Sequence, residues 1–219
     1  MMEKRFWMER WEKNETGFHQ EQVNPYLIRY WPELGLARGG EVFVPLCGKS
    51  LDMHWLREQG HFVTGVELSD IAVHAFFDEY GYVPYRTHDG RFDIREAEGV
   101  RLMRGDFFEL APADLAVVTA VYDRAALVAL PSDMRRHYVS HLARILPPLT
   151  RMLLVTFEYP QNEMSGPPFS VPTEEVRELY RGFADIRLLS QQDLLEANPR
   201  FRERGLSRMQ ESVWMLTVR

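Results

Sequence analysis

A single cysteine, Cys47, stands among 219 residues, so no disulfide can form within the chain and packing alone must hold the core. No segment approaches the roughly 18 consecutive apolar residues of a membrane-spanning helix. The strongly apolar segments, such as Leu115 to Tyr122, are the size of a β-strand. Positive charge is not in excess. The 26 Lys and Arg face 32 Asp and Glu, for a net charge of −6. That balance removes the general attraction to phosphate backbones and anionic lipid, and with it the expectation of a nucleic-acid or membrane partner. Repeats, low-complexity tracts and Gly/Ser linkers are missing, and the pairs Pro147-Pro148 and Pro167-Pro168 are too short to separate domains. The first residues, Met-Met-Glu-Lys-Arg-Phe-Trp, mix acids with bases before any apolar stretch, unlike a targeting presequence. With the lone cysteine, this leads us to expect a cytoplasmic protein.

What is present is the ordinary composition of a folded globule, 45% hydrophobic and 26% charged. The length suits one large domain over 1–219, with an aromatic arm over 1–40. In the arm Trp7 and Trp11 lie a helical turn apart, as do Tyr26 and Tyr30, whose segment carries Val23, Leu27 and Trp31 on the same stripe. Two short helices joined by Asn14 to Gln22 follow from that spacing. From Glu41 the pattern alternates between strand and helix. Val42 to Leu46 reads as a strand and Cys47-Gly48-Lys49-Ser50 as a turn. A helix carrying Leu51, Trp55 and Leu56 then stops at Gly60. Phe62 to Glu67, Val100 to Met103, Leu115 to Val121 and Met152 to Phe157 are further strands that each run into polar residues. Helices are expected after Ser69 or Asp70, over Met134 to Ile145 and over Thr173 to Tyr180. Ile186 to Ser190 and Val213 to Val218 close the chain as a strand pair with one antiparallel member. Parallel strands need crossovers, so the alternation implies a doubly wound α/β sheet with helices on both faces. In such sheets ligands bind beyond the carboxyl ends of the strands. This directs attention to Leu46 to Lys49, Glu67, Asp106, Tyr122 to Arg124 and Glu158.

Glu67 lies 21 residues after Leu46, near the interval at which an acid meets the two hydroxyls of a ribose in nucleoside-binding folds. The competing account is a solvated acid at a helix N-terminus. The first turn has one glycine where a dinucleotide loop has three. Gly48-Lys49-Ser50 also lacks the upstream glycine of a phosphate-binding P-loop, since Phe43 stands there. A nucleoside without a phosphate chain reconciles the acid with the poor glycine loop. Asp106 and Phe107 offer an acceptor and a ring for a purine, or alternatively a turn cap and a core aromatic. Arg124 can fork onto a carboxylate or hold a thiolate, or else pair with adjacent Asp123. Trp7, Trp11 and Phe18 are packing residues or a lid over a planar or cationic ligand. The seven histidines show no metal-ligand spacing, and His137 and His141 read as solvated helix positions; no metal is expected. Cys47 reads as a small packing residue at the strand end.

These residues sit in segments that resemble the thiopurine S-methyltransferases, especially the bacterial branch. The segments are Phe-Trp-Met-Glu-Arg-Trp (6 to 11), Gly-Phe-His-Gln (17 to 20), Val-Pro-Leu-Cys-Gly-Lys-Ser (44 to 50), Gly-Val-Glu-Leu-Ser (65 to 69), Gly-Asp-Phe-Phe (105 to 108), Tyr-Asp-Arg-Ala-Ala-Leu-Val-Ala-Leu-Pro (122 to 131) and Gly-Pro-Pro-Phe-Ser-Val-Pro (166 to 172). They occur in family order across most of the chain. The resemblance implies a class I S-adenosylmethionine-dependent methyltransferase, Rossmann-like, with seven strands, the last inserted antiparallel, and an N-terminal helical cover. It implies cofactor contacts at Trp11, Phe18, Leu46, Glu67, Asp106, Phe107 and Arg124, with Arg124 also the catalytic candidate. The Gly166 to Pro172 loop and the arm would close over the acceptor. Implied acceptors are aromatic and heterocyclic thiols such as thiopurines, with selenium or tellurium species as further substrates, and a monomer is expected. A P-loop nucleotide hydrolase and a non-catalytic S-adenosylmethionine sensor are the competing readings.

Overall fold

A computed structural model describes residues 4–195 and 199–219, so the first three residues of the expected arm lie outside the described residues. The arm folds as α1 (Lys4–Glu12), α2 (Pro25–Tyr30) and a 3-10 turn over Trp31–Leu34. Asn24 starts α2 by accepting from the Tyr26 amide at 3.0 Å, and Pro25 sits where a helix tolerates proline. The chain then alternates: β1 (Glu41–Val44), α3 (Leu51–Glu58), β2 (Phe62–Glu67), α4 (Asp70–Glu79), β3 (Tyr85–His88), β4 (Asp93–Ala97), β5 (Val100–Arg104), β6 (Val118–Arg124), α5 (Ser132–Ile145), β7 (Arg151–Glu158), α6 (Thr173–Tyr180), β8 (Ala184–Asp193), α7 (Pro199–Glu203) and β9 (Gln210–Val218). Among the described residues no helix is long and apolar enough to cross a membrane.

The nine strands among the described residues form one sheet in the order β3-β4-β5-β2-β1-β6-β7-β9-β8. Neighbours from β5 through β2, β1 and β6 to β7 are parallel, and β9 is antiparallel to both β7 and β8. This is the doubly wound arrangement with an inserted antiparallel last strand. The strand count differs from the expected seven because β3 and β4 form an antiparallel hairpin that extends the sheet beyond β5. All four residues of β3 are exposed, so no buried alternating face marked it in the sequence. The chain leaves β1 in one direction toward β2 and β5 and returns on its other side as β6 and β7. The switch point, where such sheets bind ligands, is therefore between the carboxyl ends of β1 and β6.

Alternation along the strands separates two cores. Phe43 and Val121 point to the face covered by α5 and α6, with Tyr138, Leu142, Val176 and Trp214. Val42, Val44, Ala120 and Tyr122 point to the other face, with Leu56 of α3, Phe76 of α4 and the arm residues Leu27, Trp31 and Leu34. Leu27, Leu34, Leu56 and Phe76 have no exposed surface. At about 1.5–3 kcal/mol for each fully buried side chain of this size, α2 and the turn after it are fixed parts of the second core.

Candidate active site

At the end of β1 the backbone turns left-handed at Leu46 (φ 46°) and again at Gly48 (φ 53°), which stops the strand at Val44, short of the expected Leu46. Cys47, between them, is buried under β2. A methyl carbon on Gly65 would meet its Sγ at 2.6 Å, so glycine is needed there. Burial pushes the Cys47 thiol well up, which suits the packing role read from the sequence. Gly48 is covered in turn by the indole of Trp11, whose Cζ2 would lie 3.2 Å from an added methyl carbon. Trp11 stacks edge-on with Phe18 at 5.5 Å, and Phe18 with Trp7 at 5.7 Å, so the arm's aromatics gather over the β1 turn.

Glu67 ends β2 and is buried rather than solvated. One carboxylate oxygen accepts from the Gly48 amide at 2.9 Å and the other from the Ser69 amide at 2.8 Å. Burial raises its pKa, and the backbone donors at Ser69, Gly48 and Leu68 oppose the rise. Its carbonyl also accepts from Gly105, tying the end of β2 to that of β5. There Asp106 caps a 3-10 turn by accepting from Phe108 at 3.0 Å, and it pairs with Lys4 of α1 at 2.6 Å. Phe107 does not present its ring at the strand end. The ring is buried against Tyr138 and His141, with centroids 4.7 and 5.1 Å away, while Phe108 is the half-exposed aromatic of this turn. His141 is accordingly buried beneath the turn, correcting its reading as a solvated helix position.

At the end of β6, Asp123 and Arg124 part company. Asp123 is fully buried and accepts from the Tyr138 hydroxyl at 2.7 Å and the Leu127 amide at 3.1 Å; burial raises its pKa to about 6. Arg124 projects to the arm, where Nη2 donates to the Phe18 carbonyl at 3.4 Å. The adjacent-residue salt bridge considered from the sequence is not formed. Lys49 is engaged by Glu79 and Ser50 caps α3, which leaves Gly48-Lys49-Ser50 without the free lysine of a P-loop. The Gly166 to Pro172 loop is tied down nearby: the Phe169 amide donates to Val128 at 2.7 Å, and Arg135 holds the Ser170 carbonyl at 2.8 Å.

Leu46, Glu67, Arg124, Trp11 and Phe18 thus converge on the switch point, Asp106 joins them through the arm, and Phe107 supports them from the core. Two acids that the sequence reading passed over lie on the same side of the sheet. Asp52 of α3 is buried and accepts from the Asn24 amide at 2.8 Å and the Tyr122 hydroxyl at 2.9 Å, linking the arm to β6. Glu211 of β9 is buried near Tyr26 and Arg124. Its signal in the sequence is an acid two residues ahead of the apolar run Val213 to Leu216.

The family model described as thiopurine S-methyltransferase matches residues 2–219. The chain is 58% identical over 218 residues to the thiopurine S-methyltransferase of Nitrosospira multiformis, covering 100% of this chain and 99% of the relative. It is 50% identical to that of Azotobacter vinelandii, again over 218 residues and 100% of both chains. Among solved structures it is similar to a Burkholderia thailandensis 1,6-didemethyltoxoflavin-N1-methyltransferase with bound 1,6-didemethyltoxoflavin and S-adenosylhomocysteine, with TM-score 0.64 and 18% identity over 98% of this chain and 86% of that one. A methyltransferase from Anabaena variabilis gives TM-score 0.63 and 14% identity over 97% and 93%. At these identities the structural likeness is one of fold.

Proposed function

Because the chain belongs to the thiopurine S-methyltransferase family of S-adenosylmethionine-dependent methyltransferases, we propose that it methylates the sulfur of aromatic and heterocyclic thiols such as thiopurines, with selenium or tellurium species as further acceptors. The observation that carries this reading is Glu67, a buried carboxylate at the switch point, bonded to the amide of the glycine that Trp11 covers. The residues present fit the cofactor. Each Glu67 oxygen accepts one backbone N–H and keeps a further lone pair for a ribose hydroxyl. Leu46, left-handed at the strand end, offers backbone to a ligand without phosphates, and the rings of Trp11 and Phe18 gather over the same turn, where they can border a sulfonium. Asp106 is an acceptor for an amino group, with Phe107 holding its turn from beneath.

When bound, S-adenosylmethionine supplies a methyl group already activated by the sulfonium. The chain's own residues have to align an acceptor and exclude water. Arg124, directed to the arm, favours an anionic thiolate or a carboxylate at the end of β6. The arm and the Gly166 to Pro172 loop restrict the acceptor side. We read residues 1–219 as one domain acting as a cytoplasmic monomer, and the net charge of −6 favours a small acceptor over a nucleic-acid polymer.

A radiolabelled-methyl assay over a panel of thiols, selenols and tellurite tests the reading. Transfer to aryl and heteroaryl thiols is the expected result. Cofactor binding with no transfer to any member would instead make the protein a sensor.

A further inference from the structure

The acid at the head of β9 is placed where no packing role requires one. Because β9 runs antiparallel, its first residues lie level with the carboxyl ends of the parallel strands, and Glu211 pairs there with Phe157 of β7 and Gln192 of β8. Alternation along β9 puts Glu211 on the same face as Val213 and Met215, the face that carries Tyr122 and is covered by the arm. Three elements meet at its carboxylate. The Tyr26 hydroxyl of α2, which reaches Oε1 of Gln192 on β8 at 3.4 Å, lies close enough to favour the carboxylate, and Arg124 of β6 acts on it through its charge. Resting on the sulfur-acceptor reading above, we propose that Glu211 is a catalytic base that takes the proton of a neutral thiol acceptor beneath the arm and beside Arg124.

The balance is simple. The acceptor's S–H bond breaks and its proton goes to a Glu211 oxygen. The sulfur lone pair forms the new S–CH₃ bond as the sulfonium–methyl bond breaks, and that electron pair stays on the departing neutral thioether. Arg124 thus faces one negative charge up to methyl transfer, first on the carboxylate and then on the sulfur, and the carboxyl afterwards releases its proton to solvent to restore the base. The titration behaviour agrees with this role. Burial pushes the Glu211 carboxyl up to about 7, with the Tyr26 hydroxyl and the Arg124 charge pulling the other way. Tyr122, on the same face, has its own hydroxyl pushed well up by burial and stays neutral, and the strand partners Phe157 and Gln192 carry no charge. A base that titrates near the working pH is the most effective one for a weakly acidic thiol.

The test compares wild type with Glu211→Gln across a series of substituted thiophenols, from those already ionised at pH 7 to those still neutral. On the neutral thiols we expect the wild-type rate to rise with pH through about 7 and the variant to lose about 100-fold or more, with a far smaller loss on the ionised ones. Tyr26→Phe, which keeps the carboxylate and removes the hydroxyl that favours it, should move the midpoint of the wild-type profile to higher pH. A second readout does not use turnover. With S-adenosylhomocysteine present, the ultraviolet spectrum of a bound thiophenol should retain a thiolate fraction in wild type at pH values where Glu211→Gln holds it as the thiol. Equal loss on both acceptor classes, with an unmoved profile and identical bound spectra, overturns the assignment alone. Wild-type protein that methylates no thiol overturns the sulfur-acceptor reading and this assignment with it.

Discussion

Glu67 does two jobs with one carboxylate, and substitutions can separate them. Its oxygens satisfy the amides of Gly48 and Ser69, and the same oxygens have capacity left for a ribose. Glu67→Ala removes both functions. Hydrogen bonds to a charged acceptor are worth about 1.5–3 kcal/mol, so affinity for S-adenosylhomocysteine should fall about 10- to 100-fold in calorimetry. Glu67→Gln keeps one carbonyl oxygen and should fall between the two; equal affinities in all three proteins would remove the ribose role. Glu67 was legible because its position after the first strand and its spacing from Leu46 are sequence properties. Glu211 and Asp52 were not, since their meaning lies in partners 19 or more positions away in unrelated elements. Asp52 is the clearer case, with Asn24 and Tyr122 supplied by the arm and by β6. Asp52→Ala leaves that amide and hydroxyl buried without an acceptor, which should cost about 2–4 kcal/mol in urea unfolding. A cycle with Tyr122→Phe should then show a coupling of about 1 kcal/mol, whereas strict additivity would argue against the link.

Among the elements, the arm is the one whose docking bears on function, and two kinds of contact hold α1. Lys4 pairs with Asp106, but the lysine side chain is 60% exposed. Trp11 is buried over Gly48 and packs on Phe18. An exposed ion pair is worth about 0–1 kcal/mol, while truncating a buried tryptophan costs about 3 kcal/mol or more. Trp11→Ala should therefore speed tryptic cleavage after exposed Lys13 and weaken protection by S-adenosylhomocysteine, and Lys4→Ala should change neither by more than a few-fold. Similar cleavage rates in the two variants would assign the docking to charge. The elements that the sequence revealed were those with a buried stripe or alternation, including both arm helices and the strands at the switch point. The β3–β4 hairpin was hidden because an edge ribbon needs little burial: Tyr85, Arg86, Thr87 and His88 are all exposed and offer no period to read. Likewise the left-handed turn at Leu46 shortened a strand whose apolar run continued past it.

For the molecule as a whole, burying acids at one end of the sheet makes folding depend on pH in an unusual direction. Asp123 is raised to about 6 and Glu211 to about 7 by burial, and Glu67 is raised by the same cause. A carboxyl whose pKa is higher in the folded chain binds its proton more tightly there. Its favourable contribution is complete below the unfolded value and is lost as pH rises through the folded one. Stability from these groups should thus fall between about pH 4 and 8. Asp89 and Asp114 act oppositely: backbone donors, led by Phe92, and the Arg91 partnership hold them low, and their contribution disappears only in stronger acid. The Glu211 part can be isolated with an uncharged isostere. A rise from 4.5 to about 7 corresponds, at about 1.4 kcal/mol for each pKa unit, to roughly 3 kcal/mol of cost when the carboxylate is ionised. Urea unfolding of wild type and Glu211→Gln between pH 4 and 8 should show nearly equal stabilities at the acid end. The variant should be more stable by about 3 kcal/mol at pH 8, with the divergence opening from about 4.5, half complete near 6 and levelling off above 7. Parallel curves would mean that the carboxylate is well solvated or fully paired in the folded state. A variant that is steadier yet slower on neutral thiols would identify the ionised acid as strain kept at the site for catalysis, a cost that the two buried cores have to carry.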